Sequence, residues 1–303
     1  MREVRVVRWL LSMWCNYRCY YCRQDHRRDT TFGPADAVWS DVDSGARPTG
    51  KAHWADNRSP LEWLEAFRSR FSEYRTVFTL TGGEPMLDLK NMSVLLPGLL
   101  CEDYVEAVRI DTNGSWDSAK YPRLDKCKVR LMVSYHPTEV GEAAFLKRLD
   151  ALRANGWSIV SVNIVVQPGM DLARLAAAVQ PAVLSPQLAY GSMQYYTPEQ
   201  LEAIRNLTPD EDWYFRAGGP TRGTLCAYPT LAYEVNPDGS LEVGCHPRVG
   251  SLFHGPLPEL LPGPTTSCPL DKCTCTDRYS YNERIGVAGS RLPLDVYAER
   301  RLG

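Results

Sequence analysis

Cys15, Cys19 and Cys22 stand in a C-x3-C-x2-C array within "MWCNYRCYYCRQDH". Three thiols are an odd number for a disulfide framework, and a closed zinc site needs a fourth ligand that is not nearby. Three thiolates on a cubane of four irons would leave one iron open to a ligand. A second group of thiols, Cys226, Cys245, Cys268, Cys273 and Cys275, lies near the other end of the chain. Its first two members flank "AYPTLAYEVNPDGSLEVG", and its last three form "CPLDKCTC". The remaining two of the ten cysteines, Cys101 and Cys127, fall within or beside predicted core elements and are expected to be buried and inert.

A third group carries no sulfur. "TLTGGEP" places Gly82, Gly83 and Glu84 directly after an apolar run. Glycines there let backbone approach a ligand closely, and Glu84 offers a fixed carboxylate. Asp111 in "DTNG", Ser134 and His136 in "SYHP", and Asn163 in "SVNIVV" occupy or follow other apolar runs. Each of these could equally be a turn residue or a satisfied polar group.

These residues need a frame, and the hydrophobic pattern supplies one. Strands are expected at 4–12, 76–81, 105–112, 128–135 and 158–166, with a less distinct sixth within 183–195. Helices are expected at 60–71, 89–100, 142–156 and 171–180, the first announced by Ser59 and Pro60, the third ended by Gly156. About six alternations with short connections predict an α/β fold, a parallel barrel or open sheet, whose ligands sit at the carboxyl ends of the strands. Residues 25–58 are polar and aperiodic and read as a lid loop, with His53, Trp54 and Asp56 as candidate substrate contacts and His53, Asp56 and His136 as candidate catalytic groups. Beyond about residue 207 helical periodicity fades, and alternating residues around Asn-Pro-Asp-Gly predict a hairpin. The division expected is 1–206 and 207–303, the second a small cysteine-rich module.

Composition narrows the function classes. The chain has 303 residues, 44% apolar and 23% charged, with a net charge of −2, which gives no bulk attraction to nucleic acid or anionic membrane. No apolar run reaches bilayer length, so a cytoplasmic location is expected, where thiols serve metal or redox chemistry rather than disulfides.

The cysteine triad with Tyr21 before its last thiol, followed by "GGEP" after the second strand, resembles the radical S-adenosylmethionine superfamily over roughly residues 4–195. The resemblance implies a partial (βα)6 barrel, similar to a TIM barrel, holding a [4Fe–4S] cluster on Cys15, Cys19 and Cys22. It further implies that the open iron binds the amino and carboxylate groups of S-adenosylmethionine, with Gly82, Gly83 and Glu84 near the amino group. Tyr21 would line the adenine, and Asp111, Ser134 and Asn163 are candidates around the rest of the cofactor. One electron from the cluster would break the sulfonium C–S bond, and the resulting 5′-deoxyadenosyl radical would abstract hydrogen from substrate. The C-terminal thiols resemble the SPASM or shorter twitch domain, which implies an auxiliary [4Fe–4S] cluster. Five cysteines suit one such cluster, although the same thiols could make a structural zinc site.

The expected activity is that of a radical S-adenosylmethionine enzyme oxidising or rearranging a small polar metabolite of sugar, aminocyclitol or nucleotide type. The expected partners are that substrate and a one-electron reductant such as flavodoxin or ferredoxin. Two alternatives stand beside this: a maturase modifying a ribosomally made peptide, and a non-catalytic iron–sulfur or zinc protein. With the first strand expected to start near Val4, no leader-gripping domain is expected before it, and the small substrate is the expectation that follows.

Overall fold

The computed structural model describes residues 3–12, 14–17, 19, 58–121, 124, 126–188, 196–208, 219–243 and 246–271. Six strands follow one another in space as in sequence: β1 (Val4–Ser12), β2 (Arg75–Gly82), β3 (Val105–Thr112), β4 (Val129–Tyr135), β5 (Ile159–Val165) and β6 (Val183–Gln187). Every neighbouring pair among them is parallel. Crossovers carry α1 (Pro60–Phe71) and α2 (Leu89–Leu100) after the first two strands, and α3 (Glu142–Ala154), α4 (Leu172–Ala178) and α5 (Pro198–Asn206) after the last three. The architecture is the α/β partial barrel expected.

Local chemistry explains most boundaries. Ser59 accepts the Glu62 N–H while the Glu62 carboxylate accepts the Ser59 N–H, a capping box with Pro60 in the first turn of α1. Asp88 caps α2 by accepting the Asn91 N–H, and Asp171 caps α4 by accepting the Arg174 N–H. The helix α5, with its own capping box at Thr197 and Gln200, was not predicted: its apolar stripe is thin, and Ile204 is its one buried residue. The third crossover has no α-helix among the described residues, only 3-10 turns at Ser118–Lys120 and Lys126–Lys128. Trp116 and Tyr121 fill that layer instead, packed edge-on against each other at 5.3 Å, with Trp116 also 5.0 Å from Trp157.

The C-terminal region contributes β7 (Leu225–Cys226), α6 (Tyr228–Leu231), β8 (Ala232–Val235), β9 (Ser240–Val243), β10 (His246–Ser251) and β11 (Thr266–Ser267). The predicted hairpin is β8–β9, turning at Gly239 with φ +81°, and β10 adds a strand that was not predicted. The hairpin does not stand apart from the barrel. β8 pairs in parallel with β1, from Val6↔Ala232 to Trp9↔Val235, giving a nine-stranded sheet with seven parallel strands.

The two faces of this sheet differ in chemistry. Val7, Trp9, Leu11, Phe78, Leu80, Val108, Ile110, Leu131, Val133, Val162, Ile164 and Leu184 face the helices and form the core. There Trp9 meets Trp63 at 4.5 Å and Phe67 at 4.8 Å, and Phe71 of α1 reaches Tyr233 of β8 at 5.6 Å. Alternation turns the intervening residues to the inner face. They include Arg8, Thr79, Arg109, Asp111, Arg130, Ser134, Ser161, Asn163, Ser185, Gln187 and Glu234. Fully burying one large apolar side chain contributes about 1.5–3 kcal/mol, so the helix face supplies the stability and leaves the inner face free for polar work.

Among the described residues no helix is long and apolar enough to cross a membrane. Cys101 and Cys127 are exposed rather than buried, because Cys101 lies at the C-cap of α2 and Cys127 in a 3-10 turn before β4.

Candidate active site

The site forms where β1 and β2 end. Gly83 N–H donates to the Ser12 carbonyl at 2.8 Å, and Glu84 N–H donates to the Trp14 carbonyl at 2.7 Å, so the Gly-Gly-Glu turn is bonded to the chain entering the thiol loop. This approach is close enough to require glycine at position 82. Its φ is +130°, and a Cβ placed there would lie 2.1 Å from the Ser12 carbonyl oxygen.

Glu84 is 2% exposed and turned towards the end of β3. Its carboxylate accepts the Thr112 hydroxyl at 2.6 Å, the Asn113 N–H at 2.5 Å and the Met86 N–H at 3.2 Å. Burial pushes its pKa up to about 7 against the pull of these three donors. Thr112 in turn accepts from Gly114 N–H and the Trp116 indole. Glu84 therefore ties the β2 turn to the β3 turn, a positioning role beside the ligand-facing one expected from sequence.

The β3 turn reaches the thiols. Asn113 Nδ2 donates to Asn16 Oδ1 at 3.0 Å and lies 3.8 Å from Cys15 Sγ, and Asn16 donates to the Ser115 hydroxyl at 2.9 Å. Cys15 Sγ also accepts the Tyr17 N–H at 3.3 Å. On the other side, His136 Nδ1 lies 3.4 Å from Cys19 Sγ, and its ring stands edge-on to Tyr17 at 5.6 Å. Burial lowers the His136 pKa to about 4, so the imidazole is neutral. Arg148 of α3 donates to the Tyr17 hydroxyl. N–H donors gathered on sulfur suit thiolates, the form that an iron–sulfur cluster requires.

The structure thus brings together Cys15, Cys19, Gly82, Gly83, Glu84 and His136, with His136 against a thiol. Asp111 is on the inner face but forms a two-bond pair with Arg109 at 2.7 and 3.1 Å. Ser134 and Asn163 are register partners on the inner face, continued by Ser185. Asn16, Tyr17, Asn113, Ser115 and Arg148 were missed. "DTNG" had been singled out for Asp111, yet Asn113, two residues on and on the same face, makes the contact to sulfur. Tyr21, Cys22, His53, Trp54, Asp56, Cys245, Cys273 and Cys275 lie outside the described residues.

At the C-terminal thiols, β7 and β11 form an antiparallel ribbon pairing Thr266 with Cys226. Cys268 N–H donates to the Thr224 carbonyl at 2.8 Å, so Cys226 and Cys268 lie diagonally on one face of the ribbon. Among the described residues no three metal-ligating side chains converge.

The radical SAM superfamily model matches residues 9–180, more than half of the chain, and the chain belongs to that superfamily. Membership implies an enzyme that uses a [4Fe–4S] cluster and S-adenosylmethionine for radical chemistry. Among solved structures, SuiB of Streptococcus suis bound to S-adenosylmethionine superposes with a TM-score of 0.53 at 12% identity, covering 84% of this chain. Native anSMEcpe with bound AdoMet also gives 0.53, at 15% identity, over 84% of this chain and 79% of its own. At such identities the likeness is one of fold, and this chain spans only 65% of the SuiB chain. No curated protein matches in sequence.

Proposed function

We propose that the protein is a radical S-adenosylmethionine enzyme acting on a small polar metabolite enclosed by the inner face of the barrel. The substrate class, of sugar, aminocyclitol or nucleotide type, rests on one observation: the inner face carries Arg8, Arg109, Asp111, Ser134, Asn163, Ser185, Gln187 and Glu234, a set of charged, amide and hydroxyl groups. Cys15, Cys19 and Cys22 hold the [4Fe–4S] cluster, which when bound supplies the electron that generates a hydrogen-abstracting radical from S-adenosylmethionine. The backbone around Gly82 and Gly83 offers carbonyls to a cationic amino group. Glu84 fixes that backbone against β3, and Asn113 and Asn16 fix the thiol loop. Cys226, Cys268 and further C-terminal thiols would hold an auxiliary cluster, which when bound would supply an electron acceptor for a net oxidation. A flavodoxin or ferredoxin serves as reductant.

Deuterium transfer tests this reading. Anaerobically reconstituted protein, given S-adenosylmethionine, a reductant and deuterated candidates from the three metabolite classes, should place deuterium in 5′-deoxyadenosine with one class. Cys15→Ala or Cys19→Ala should abolish 5′-deoxyadenosine formation. Transfer from a peptide and from none of the metabolites would replace this reading with that of a peptide maturase.

A further inference from the structure

Sulfur ligands leave one property of a cluster to their surroundings: hydrogen bonds to the sulfurs stabilise the reduced, more negative state and raise the reduction potential. The residues that approach Cys19 are arranged for this. His136 follows β4 on the inner face, with Nδ1 3.4 Å from Cys19 Sγ. Its ring is held edge-on by Tyr17 at 5.6 Å, and the Tyr17 hydroxyl is held by Arg148 of α3. A helix on the outside of the sheet thereby fixes an imidazole at a thiol on the inside, through one phenol.

We propose that His136 is a positioning residue that donates Nδ1–H to the Cys19 thiolate and raises the reduction potential of the N-terminal cluster. Tyr17 and Arg148 act through it by fixing the ring. The inference rests on the reading that Cys15, Cys19 and Cys22 hold that cluster.

The experiment uses the full chain reconstituted anaerobically and follows the paramagnetic signal that shifts when S-adenosylmethionine is added. A hydrogen bond to a charged acceptor is worth about a tenfold change in an equilibrium constant. Removing it in His136→Leu should therefore lower the reduced-to-oxidised ratio about tenfold at fixed applied potential, or about 59 mV for a one-electron couple. His136→Asn, whose amide nitrogen takes the place of Nδ1, should restore most of the ratio. Wild-type protein labelled with 15N in histidine alone should show 15N coupling to the reduced cluster in pulsed paramagnetic resonance, which needs no variant to fold. Absence of that coupling, or an unmoved potential in a folded His136→Leu, overturns the inference while the cluster reading stands. A protein that takes up no cluster responsive to S-adenosylmethionine overturns both.

Discussion

Glu84 is a buried carboxylate held between a cost and three compensations. Burial disfavours its charge, while the Thr112 hydroxyl and the N–H groups of Asn113 and Met86 favour it. The balance puts its pKa near 7 in the folded protein, against 4.5 for an ordinary glutamate. A folded-state pKa above the unfolded one means that the native state binds the proton more tightly. The contribution is complete below about pH 4.5, where it reaches about 3 kcal/mol, and is lost as pH rises through 7. Between pH 6 and pH 8 the linkage relation gives a loss of about 1.3 kcal/mol.

Glu84→Gln isolates this contribution. The amide is neutral at every pH, and whichever way it is turned its NH2 group faces at least one of the N–H groups of Met86 and Asn113. That leaves a buried donor without its acceptor, at a cost of about 1–3 kcal/mol. Urea unfolding of both proteins at matched iron content, followed by circular dichroism at pH 6, 7 and 8, should show the variant less stable throughout. The gap should be wider at pH 6 than at pH 8 by about 1 kcal/mol. A gap that stays constant, or that widens towards pH 8, would show that the three donors outweigh burial, and the reasoning fails.

Two further outcomes follow from backbone geometry. Gly82→Ala must move the Ser12 carbonyl by about 1 Å, since real Cβ atoms keep 3.0 Å from such an oxygen and this one would start at 2.1 Å. With the strain at positive φ, a loss of about 3–5 kcal/mol in urea unfolding is expected, together with reduced iron uptake by the thiol loop; uptake at the wild-type level would sink this account. Gly141→Asp should act in the opposite direction. Gly141 is the N-cap of α3 with extended backbone and no side-chain cap, and a Cβ there meets nothing within 4 Å, so a gain of about 0.5–1 kcal/mol is expected. A thermal unfolding midpoint that is unchanged or lower would count against it.

Sequence reasoning succeeded where one period or one cap decides the structure. The run "VRVVRWLLS" could only be a strand, and Ser59-Pro60 ahead of an apolar stripe could only start a helix. It failed where tertiary packing decides. Nothing in "AYEV" says that β8 pairs with β1, a pairing accompanied by the contact of Phe71 with Tyr233 across the core. At the site, "GGEP" announced itself, but the purpose of its parts did not. The close approach of Gly82 to Ser12, and the turn of Glu84 away towards Thr112, are visible only when both strand ends are in place. Asn113 was passed over for Asp111 because a carboxylate looks more chemical than an amide. Asp111 is spent on Arg109, two residues earlier on the same face.

The layering of the inner face separates two tasks that the sequence interleaves. Glu234, Arg8, Thr79, Arg109 and Arg130 are successive register partners across five strands, one level well below the carboxyl ends. Arg8 lies 3.6 Å from Glu234, Arg109 is paired with Asp111 one inner-face position nearer the carboxyl ends, and Arg130 donates to the Cys127 and Val129 carbonyls. The thiol loop belongs to the topmost level, where Glu84 accepts from Thr112 and Asn113, Asn113 and His136 reach Cys15 and Cys19, and Ser12 accepts from Gly83 and Trp14. Polar groups at the top are committed to holding the loop in place. Ser134, Asn163 and Ser185 continue this row across β4, β5 and β6, level with Asn113, and the Ser185 hydroxyl accepts from the Gln187 amide. The contacts that fix the thiols run sideways between strand ends rather than down into the barrel, from Ser12 to Gly83, from Glu84 to Asn113 and from Asn113 to Asn16.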